Sequence, residues 1–152
     1  MSIDYGVHPL DPDNKDFRDW LQSEGVDFPD VKGRFPTLDE LLDVLHTFNG
    51  LAVNVIKNDV ISVSLGDPED LERGFALMLG HITPDGYYDF SFWQWRNREI
   101  TMAAILKKLA VFCGPLVLRE GYGATPMLVT QDTNLDIALQ GWNDRFRQKY
   151  PE

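Results

Sequence analysis

The sequence has few of the residues that build disulfide frameworks and metal sites. Its 152 residues include one Cys and three His. A single Cys excludes an intramolecular disulfide and a zinc site made of several cysteines. His8, His46 and His81 lie far apart in the sequence and show none of the short spacings typical of metal ligands. We therefore expect no metal ion and no cofactor.

The sequence also lacks long apolar runs and an excess of positive charge. No stretch approaches the roughly 20 apolar residues that cross a membrane, and the first residues lack the basic and apolar regions of a secretory signal. With 24 acids against 14 bases, the net charge is −10, which argues against nucleic acid or an anionic membrane as the partner. The composition predicts a cytoplasmic protein that binds neither.

Regular spacing of apolar residues is the main signal that the sequence does contain. Apolar residues recur at helical intervals in four segments, residues 15–23, 37–48, 99–113 and 133–150. Alternating or β-rich runs predict three strand pairs, 51–56 with 60–65, 75–82 with 87–95, and 115–119 with 127–130. Thr37 and Glu40 have the Thr-x-x-Glu spacing of a capping box, which predicts a helix start.

Together these elements predict a single α+β domain over residues 1–152. Strand pairs joined by short connections, without a regular alternation of strand and helix, indicate a mainly antiparallel sheet of about four to six strands. Helices are expected before, between and after the strands. Residues 1–13 contain Pro9 and Pro12, so we predict an irregular N-terminal arm there.

Candidate catalytic groups do not assemble into a recognisable set. Cys113 is expected at the C-terminal end of a helix, where the helix dipole disfavours a thiolate, so we interpret it as a buried structural residue. Gly121 and Gly123 form a Gly-x-Gly that lacks the rest of a phosphate loop, and a turn between two strands explains it. The sequence has no nucleophile elbow. We predict that the protein is not an enzyme.

Negative charge is concentrated in the first part of the chain. Residues 1–90 hold 18 acids and six bases, whereas residues 91–152 hold six acids and eight bases. An acidic surface attracts a basic partner and raises its association rate, although a solvated surface that keeps the protein soluble is the simpler interpretation. The candidate partner-binding acids lie on the solvent side of the second predicted helix and in the loop after the first strand pair: Asp39, Glu40, Asp43, Glu69, Asp70 and Glu72.

A second candidate surface combines aromatic and basic residues. Trp93, Trp95, Arg96 and Arg98 stand at the end of a predicted strand. The simpler interpretation is a core strand that runs into a helix start, with the arginines in solvent. Trp and Arg are also enriched in protein-binding hot spots, so a protein contact is the alternative. Stacking on single-stranded nucleic acid is the least favoured interpretation, because the net charge opposes it.

The C-terminal part of the chain resembles a known class of proteins. A predicted buried helix leads into Cys113–Leu118, a turn with glycines and then Pro126–Val129. This segment resembles the C-terminal part of the small α+β immunity proteins of bacterial toxin–immunity systems. Such proteins are cytoplasmic, often acidic, and act by binding a cognate toxin domain, so the resemblance implies a protein partner. It assigns no functional residue, because such inhibitors use different surfaces for different toxins.

The residues and the resemblance leave three functions open. The first is a non-enzymatic acidic binding protein that inhibits a bacterial toxin domain, such as a basic nuclease. The second is a small-molecule-binding domain, or an enzyme without a recognised motif, with a pocket near Tyr87, Trp93, Trp95 and Tyr122. The third is a structural subunit of a bacterial or phage assembly. Acids scattered over all sides would weaken the first function, and a pocket with converging polar groups would favour the second.

Overall fold

The chain folds as helices packed on one antiparallel sheet. The structure is a computed structural model that describes residues 3–48, 51–56, 60–65, 75–82, 85–94, 99–121 and 125–149. Within these residues the strands are β1 (Ile3–Pro9), β2 (Leu51–Ile56), β3 (Val60–Leu65), β4 (Phe75–Ile82), β5 (Tyr88–Gln94), β6 (Leu116–Glu120) and β7 (Pro126–Val129). The helices are α1 (Lys15–Ser23), α2 (Leu38–His46), α3 (Glu99–Cys113) and α4 (Leu135–Lys149).

The sheet has the strand order β2-β3-β4-β5-β1-β6-β7, and every neighbouring pair is antiparallel. The predicted α+β class is therefore confirmed. The sheet has seven strands, against the expected about four to six, because β1 adds one strand to the six found from the sequence.

The prediction of an irregular arm over residues 1–13 is wrong, since Ile3–Pro9 forms β1 in the interior of the sheet. Its first half pairs with β5, where Gly6 lies opposite Ser91. The strand also pairs with β6 as far as Pro9, which lies opposite Leu116. Proline is tolerated at this position because β1 pairs with β5 only from Ile3 to Gly6, so at Pro9 one edge of the strand has no neighbouring strand that would accept an N–H.

The two faces of the sheet have different cover. Side chains alternate across a strand, so Tyr5 and Val7 of β1 enter the main core together with buried residues of α2, α3 and α4. On the opposite face, Leu21 of α1 packs against Val117 of β6 in a smaller cluster. The helices therefore form two layers, with α1 on one face and α2, α3 and α4 on the other.

Helix α3 is the centre of the larger layer. It buries seven residues, and it lies between α2 and α4. The expectation that this apolar helix is buried nearly all round is only partly correct, since Ile100, Val111 and Phe112 are 46%, 62% and 50% exposed. The flanking helices cover the sides of α3 and leave its outer surface open among the described residues.

Candidate functional site

Of the three predicted acids on α2, two side chains are exposed and one makes hydrogen bonds within the fold. Asp39 and Asp43 are exposed, as expected. Glu40, the third predicted acid on α2, is partly buried and engaged within the fold. Its carboxylate accepts hydrogen bonds from Arg34 Nη1 and Nη2, both at 2.8 Å, and from the backbone N–H of Thr37 at 2.9 Å.

The capping box predicted at the start of α2 is confirmed by the same contacts. The Glu40 N–H donates to Thr37 Oγ1 at 3.2 Å while the Glu40 carboxylate accepts from the Thr37 N–H. The hydrogen bond from Arg34 is the largest cause that lowers the pKa of Glu40 to about 2. Glu40 therefore stays ionised and holds the chain before α2 against the helix start.

Several predicted site residues fall outside the described part of the chain. These are Glu69, Asp70, Glu72, Trp95, Arg96, Arg98 and Tyr122. For Trp93 the backbone alone is described, in β5 opposite Asp4. Tyr87, the remaining member of the proposed aromatic pocket, lies beside Arg34, whose Cζ is 4.9 Å from the ring centroid.

The described acids do not gather on one face. Asp16 and Asp19 are exposed on α1, which lies on one side of the sheet. Asp39 and Asp43 are exposed on α2, which belongs to the opposite layer. A single acidic face that spans both helices is therefore not formed, although the surface of residues 3–48 remains acidic, with eleven acids and four bases.

A cleft opens where β1 and β5 separate, and its walls include Val7 and Phe90 of the main core as well as residues of the α1 face. The two strands pair only from Ile3–Gly6 to Ser91–Gln94. Beyond that point β1 continues along β6, and the first residues of β5 stay with β4. The separation leaves a cavity of about 370 Å³ whose lining includes Gly6, His8, Gly80, Asp89 and Ser91.

A second cavity adjoins the first and is walled by α1. It has a volume of about 360 Å³ and is lined by His8, Phe17, Trp20 and Arg119. The rings of Phe17 and Trp20 meet edge to face with centroids 5.5 Å apart. The His8 ring meets both of them edge to face, at 6.4 Å and 6.3 Å. We call the two cavities that share His8 the His8 cleft.

Glycine at two strand positions makes room for the polar groups of the His8 cleft. A Cβ at Gly6 would lie 3.3 Å from both Arg119 Nη2 and His8 Nε2. A Cβ at Gly80 would lie 1.7 Å from Asp89 Oδ1. Glycine inside a strand weakens it and often marks the close approach of another group. Here the side chains of Arg119 and Asp89 lie over these glycines.

A hydrogen bond joins His8 to Arg119. Arg119 Nε donates to His8 Nε2 at 3.3 Å. Burial, and secondarily the charge of Arg119, lower the pKa of His8 below 6.5, so His8 is neutral at pH 7 and accepts through Nε2. Its proton is then assigned to Nδ1. The terminal amino groups of Arg119 form no ion pair with an acid of the described residues.

The cleft has the features of a binding site. A guanidinium group binds planar anions through paired hydrogen bonds, a serine hydroxyl both donates and accepts, and aromatic walls bind apolar groups. Sequence reasoning missed this site because His8 was assigned to an irregular arm. The period-2 pattern of Tyr5 and Val7 around Gly6 was the available signal.

Comparisons with protein-family models, curated proteins and solved structures found no match. Among the described helices, none combines the length and the apolar character that a membrane crossing requires. No group of at least three His, Cys, Asp or Glu side chains in the described part of the chain is arranged to hold a metal ion.

Proposed function

We propose that this protein is a cytoplasmic, non-enzymatic binding domain for a small organic ligand, and that the ligand occupies the His8 cleft. One observation carries the proposal. His8 of β1 lines two adjoining cavities, one together with Asp89 and Ser91 of β5 and the other together with Arg119 of β6 and two aromatic rings of α1. Concave, largely apolar cavities with a few placed polar groups are the usual form of ligand sites.

The position of the cleft supports a preformed site. Its polar groups stand on interior strands of the sheet, and Leu21 and Val117, both fully buried, anchor α1 to β6. A ligand would meet walls already held in place, so little ordering free energy opposes binding. Each cavity, at about 360–370 Å³, lies in the size range of small-ligand pockets.

A thermal-shift screen of small organic molecules tests the proposal, with Trp20→Ala as the variant and Gln22→Ala as the matched control. Trp20 lines the cleft, whereas Gln22 is exposed on the same helix. A ligand at 100 times its Kd stabilises the folded state by about 2.7 kcal/mol, which raises the Tm of a chain this long by roughly 5–10 °C. The shift should survive Gln22→Ala and fall sharply in Trp20→Ala.

Two results would contradict a ligand site in the cleft. One is a set of hits whose stabilisation is the same in wild type and Trp20→Ala, since those ligands bind elsewhere. The other is a broad screen at millimolar concentration with no hits, combined with native mass spectrometry that finds no molecule bound to protein purified from cells.

A second candidate function is inhibition of a bacterial toxin domain, of the immunity type. The observation that favours it is the acidic surface of residues 3–48, with eleven acids against four bases, and the exposed pair Asp39 and Asp43. Such a surface steers a basic partner toward the protein. Because the acids occupy both layers, the steering would come from the overall field rather than from one face.

Association kinetics test this second function. A pull-down from the native host supplies the partner, and Asp39→Asn/Asp43→Asn is compared with wild type at low and high salt. The neutralised variant should associate more slowly at low salt, and the difference should shrink near 0.15 M, where the Debye length is about 8 Å. Equal association rates at low salt would refute steering by α2.

A further inference from the structure

We propose that the ligand of the His8 cleft is an aromatic monocarboxylate, with its carboxylate on Arg119 and its ring against Phe17 and Trp20. The inference rests on the proposed function and adds the chemical class of the ligand. It starts from a charge that the fold does not neutralise. The protein has ten more acids than bases, yet Arg119 pairs with none of the acids that the structure describes.

The orientation of Arg119 decides which of its edges meets a ligand. Its Nε–H is taken by His8 Nε2, and its Nη2 lies over Gly6. The remaining pair of donors is the end of the guanidinium, formed by the two Nη groups. That end matches the two oxygens of a carboxylate, which it binds through two parallel hydrogen bonds.

His8 holds this geometry in place. Its neutral ring accepts from Arg119 and makes edge-to-face contacts with both the Phe17 and the Trp20 ring. The donor end of Arg119 is therefore fixed relative to an aromatic wall. A molecule that joins a ring to a carboxylate through a short link contacts both features at once.

The charge of the surroundings favours a monoanion over a phosphate. Asp16 precedes Trp20 by one helical turn, so it lies on the same side of α1 as the cleft, and it is exposed. The Arg119 guanidinium balances one negative charge, and Asp89 lines the same cleft, so the second charge of a phosphate monoester would be opposed by Asp89 as well as by the acidic surface. The aromatic wall likewise favours a ring over a polar sugar.

Three related compounds test the ligand class on the wild-type protein: phenylacetate, its neutral amide phenylacetamide, and the cation phenethylamine. Titration calorimetry or chemical-shift changes of the Trp20 indole N–H follow binding. We expect the affinity to fall from the carboxylate to the amide to the amine, with the acid binding at least about tenfold more tightly than the amide. Added salt should lower the affinity for phenylacetate and leave the affinity for phenylacetamide unchanged.

Two variants locate the charge that is recognised. Arg119→Gln should lose at least about tenfold in affinity for phenylacetate and keep its weak affinity for the amide. Arg18→Gln, an exposed arginine on α1, is the matched control and should bind as wild type does. Should Arg119→Gln not fold, the comparison of acid with amide on wild type still decides the matter.

The outcomes separate this inference from the proposed function. Equal binding of acid and amide, or tighter binding of the amine, overturns the carboxylate and leaves a ligand site standing. Failure of all three compounds, while other screen hits depend on Trp20, overturns the ligand class alone. Failure of all three together with a screen without hits overturns both.

Discussion

Replacing Glu40 by Gln tests whether this acid belongs to the fold rather than to a binding surface. The carboxylate accepts three hydrogen bonds, two from Arg34 and one from the Thr37 N–H, and its side chain is 19% exposed. Gln keeps the volume and one acceptor oxygen, but it loses the charge and the paired contact with Arg34. Hydrogen bonds to charged groups contribute about 1.5–3 kcal/mol, and partial exposure reduces that figure.

We therefore expect Glu40→Gln to lower the free energy of unfolding by about 1.5 kcal/mol and the Tm by roughly 3–6 °C. Urea denaturation followed by Trp fluorescence measures the first quantity. Asp43→Asn is the control, because Asp43 is an exposed acid on the same helix and its replacement should stay within about 0.5 kcal/mol.

Acidification provides an independent check of the same contact. The pKa of Glu40 falls from about 4.5 to about 2 in the folded protein, chiefly through the Arg34 hydrogen bond. A lowered pKa contributes stability that is complete above pH 4.5 and is lost as the pH falls toward 2. The difference in free energy of unfolding between wild type and Glu40→Gln should therefore narrow over that pH interval. A gap that stays constant, or one no larger than that of Asp43→Asn, would refute the reasoning.

Three further predictions follow from buried groups. Deletion of residues 133–152 removes Trp142, which is 5% exposed and donates its indole N–H to the Thr125 carbonyl, so we expect loss of cooperative unfolding; an unchanged midpoint would contradict this. Burial raises the pKa of Cys113 to about 12, so thiol reagents at neutral pH should label the native protein far more slowly than the unfolded chain; equal rates would show an accessible thiolate. Because burial lowers the pKa of His8 below 6.5, the folded state disfavours its protonation, and the stability it contributes above that pH declines on acidification. Chemical denaturation between about pH 7.5 and 5.5 measures the free energy of unfolding, which should decline less steeply with falling pH in His8→Gln than in His46→Gln, the exposed control. Equal pH dependence in the two variants would refute the role of His8.

Patterns among residues close together in the sequence predicted the helices, because the backbone hydrogen bonds of a helix join such residues. The capping box of Thr37 and Glu40 and the apolar stripe that follows it are satisfied within α2. At the start of α4, Asn134 caps the helix by accepting the Ile137 N–H, and Thr133 just before it accepts the Thr130 N–H.

Strand β1 could not be found in this way, because its partners lie far away along the chain. Tyr5 faces Phe92 of β5 and Glu120 of β6, and no turn links β1 to either strand. Pro9 favours an irregular segment when it is judged only by its neighbours. In the sheet it lies beyond the residues of β1 that pair with β5, where a missing N–H costs little.

The His8 cleft was out of reach of the sequence for the same reason. His8 and Arg119 are 111 residues apart and meet only because β1 pairs with β6. The cleft wall from α1 also depends on that pairing, since Leu21 packs on Val117. The alternation of Tyr5 and Val7 could indicate β1 itself, but a site built by long-range strand pairing leaves no spacing pattern that joins His8 to Arg119.

The unequal cover of the two sheet faces explains why a cleft forms at this place. Three helices pack on the main-core side, whereas on the other side α1 lies over the end of the sheet that contains β1 and β6. The strip beside α1 carries Gly6, Ser91 and Gly80 in place of the large apolar residues that would require cover by a second helix. Large side chains there would leave an exposed apolar patch, and small ones leave a concave surface instead. The small residues of this strip, which no described helix covers, therefore also leave the volume that His8 lines, next to the cavity lined by Arg119.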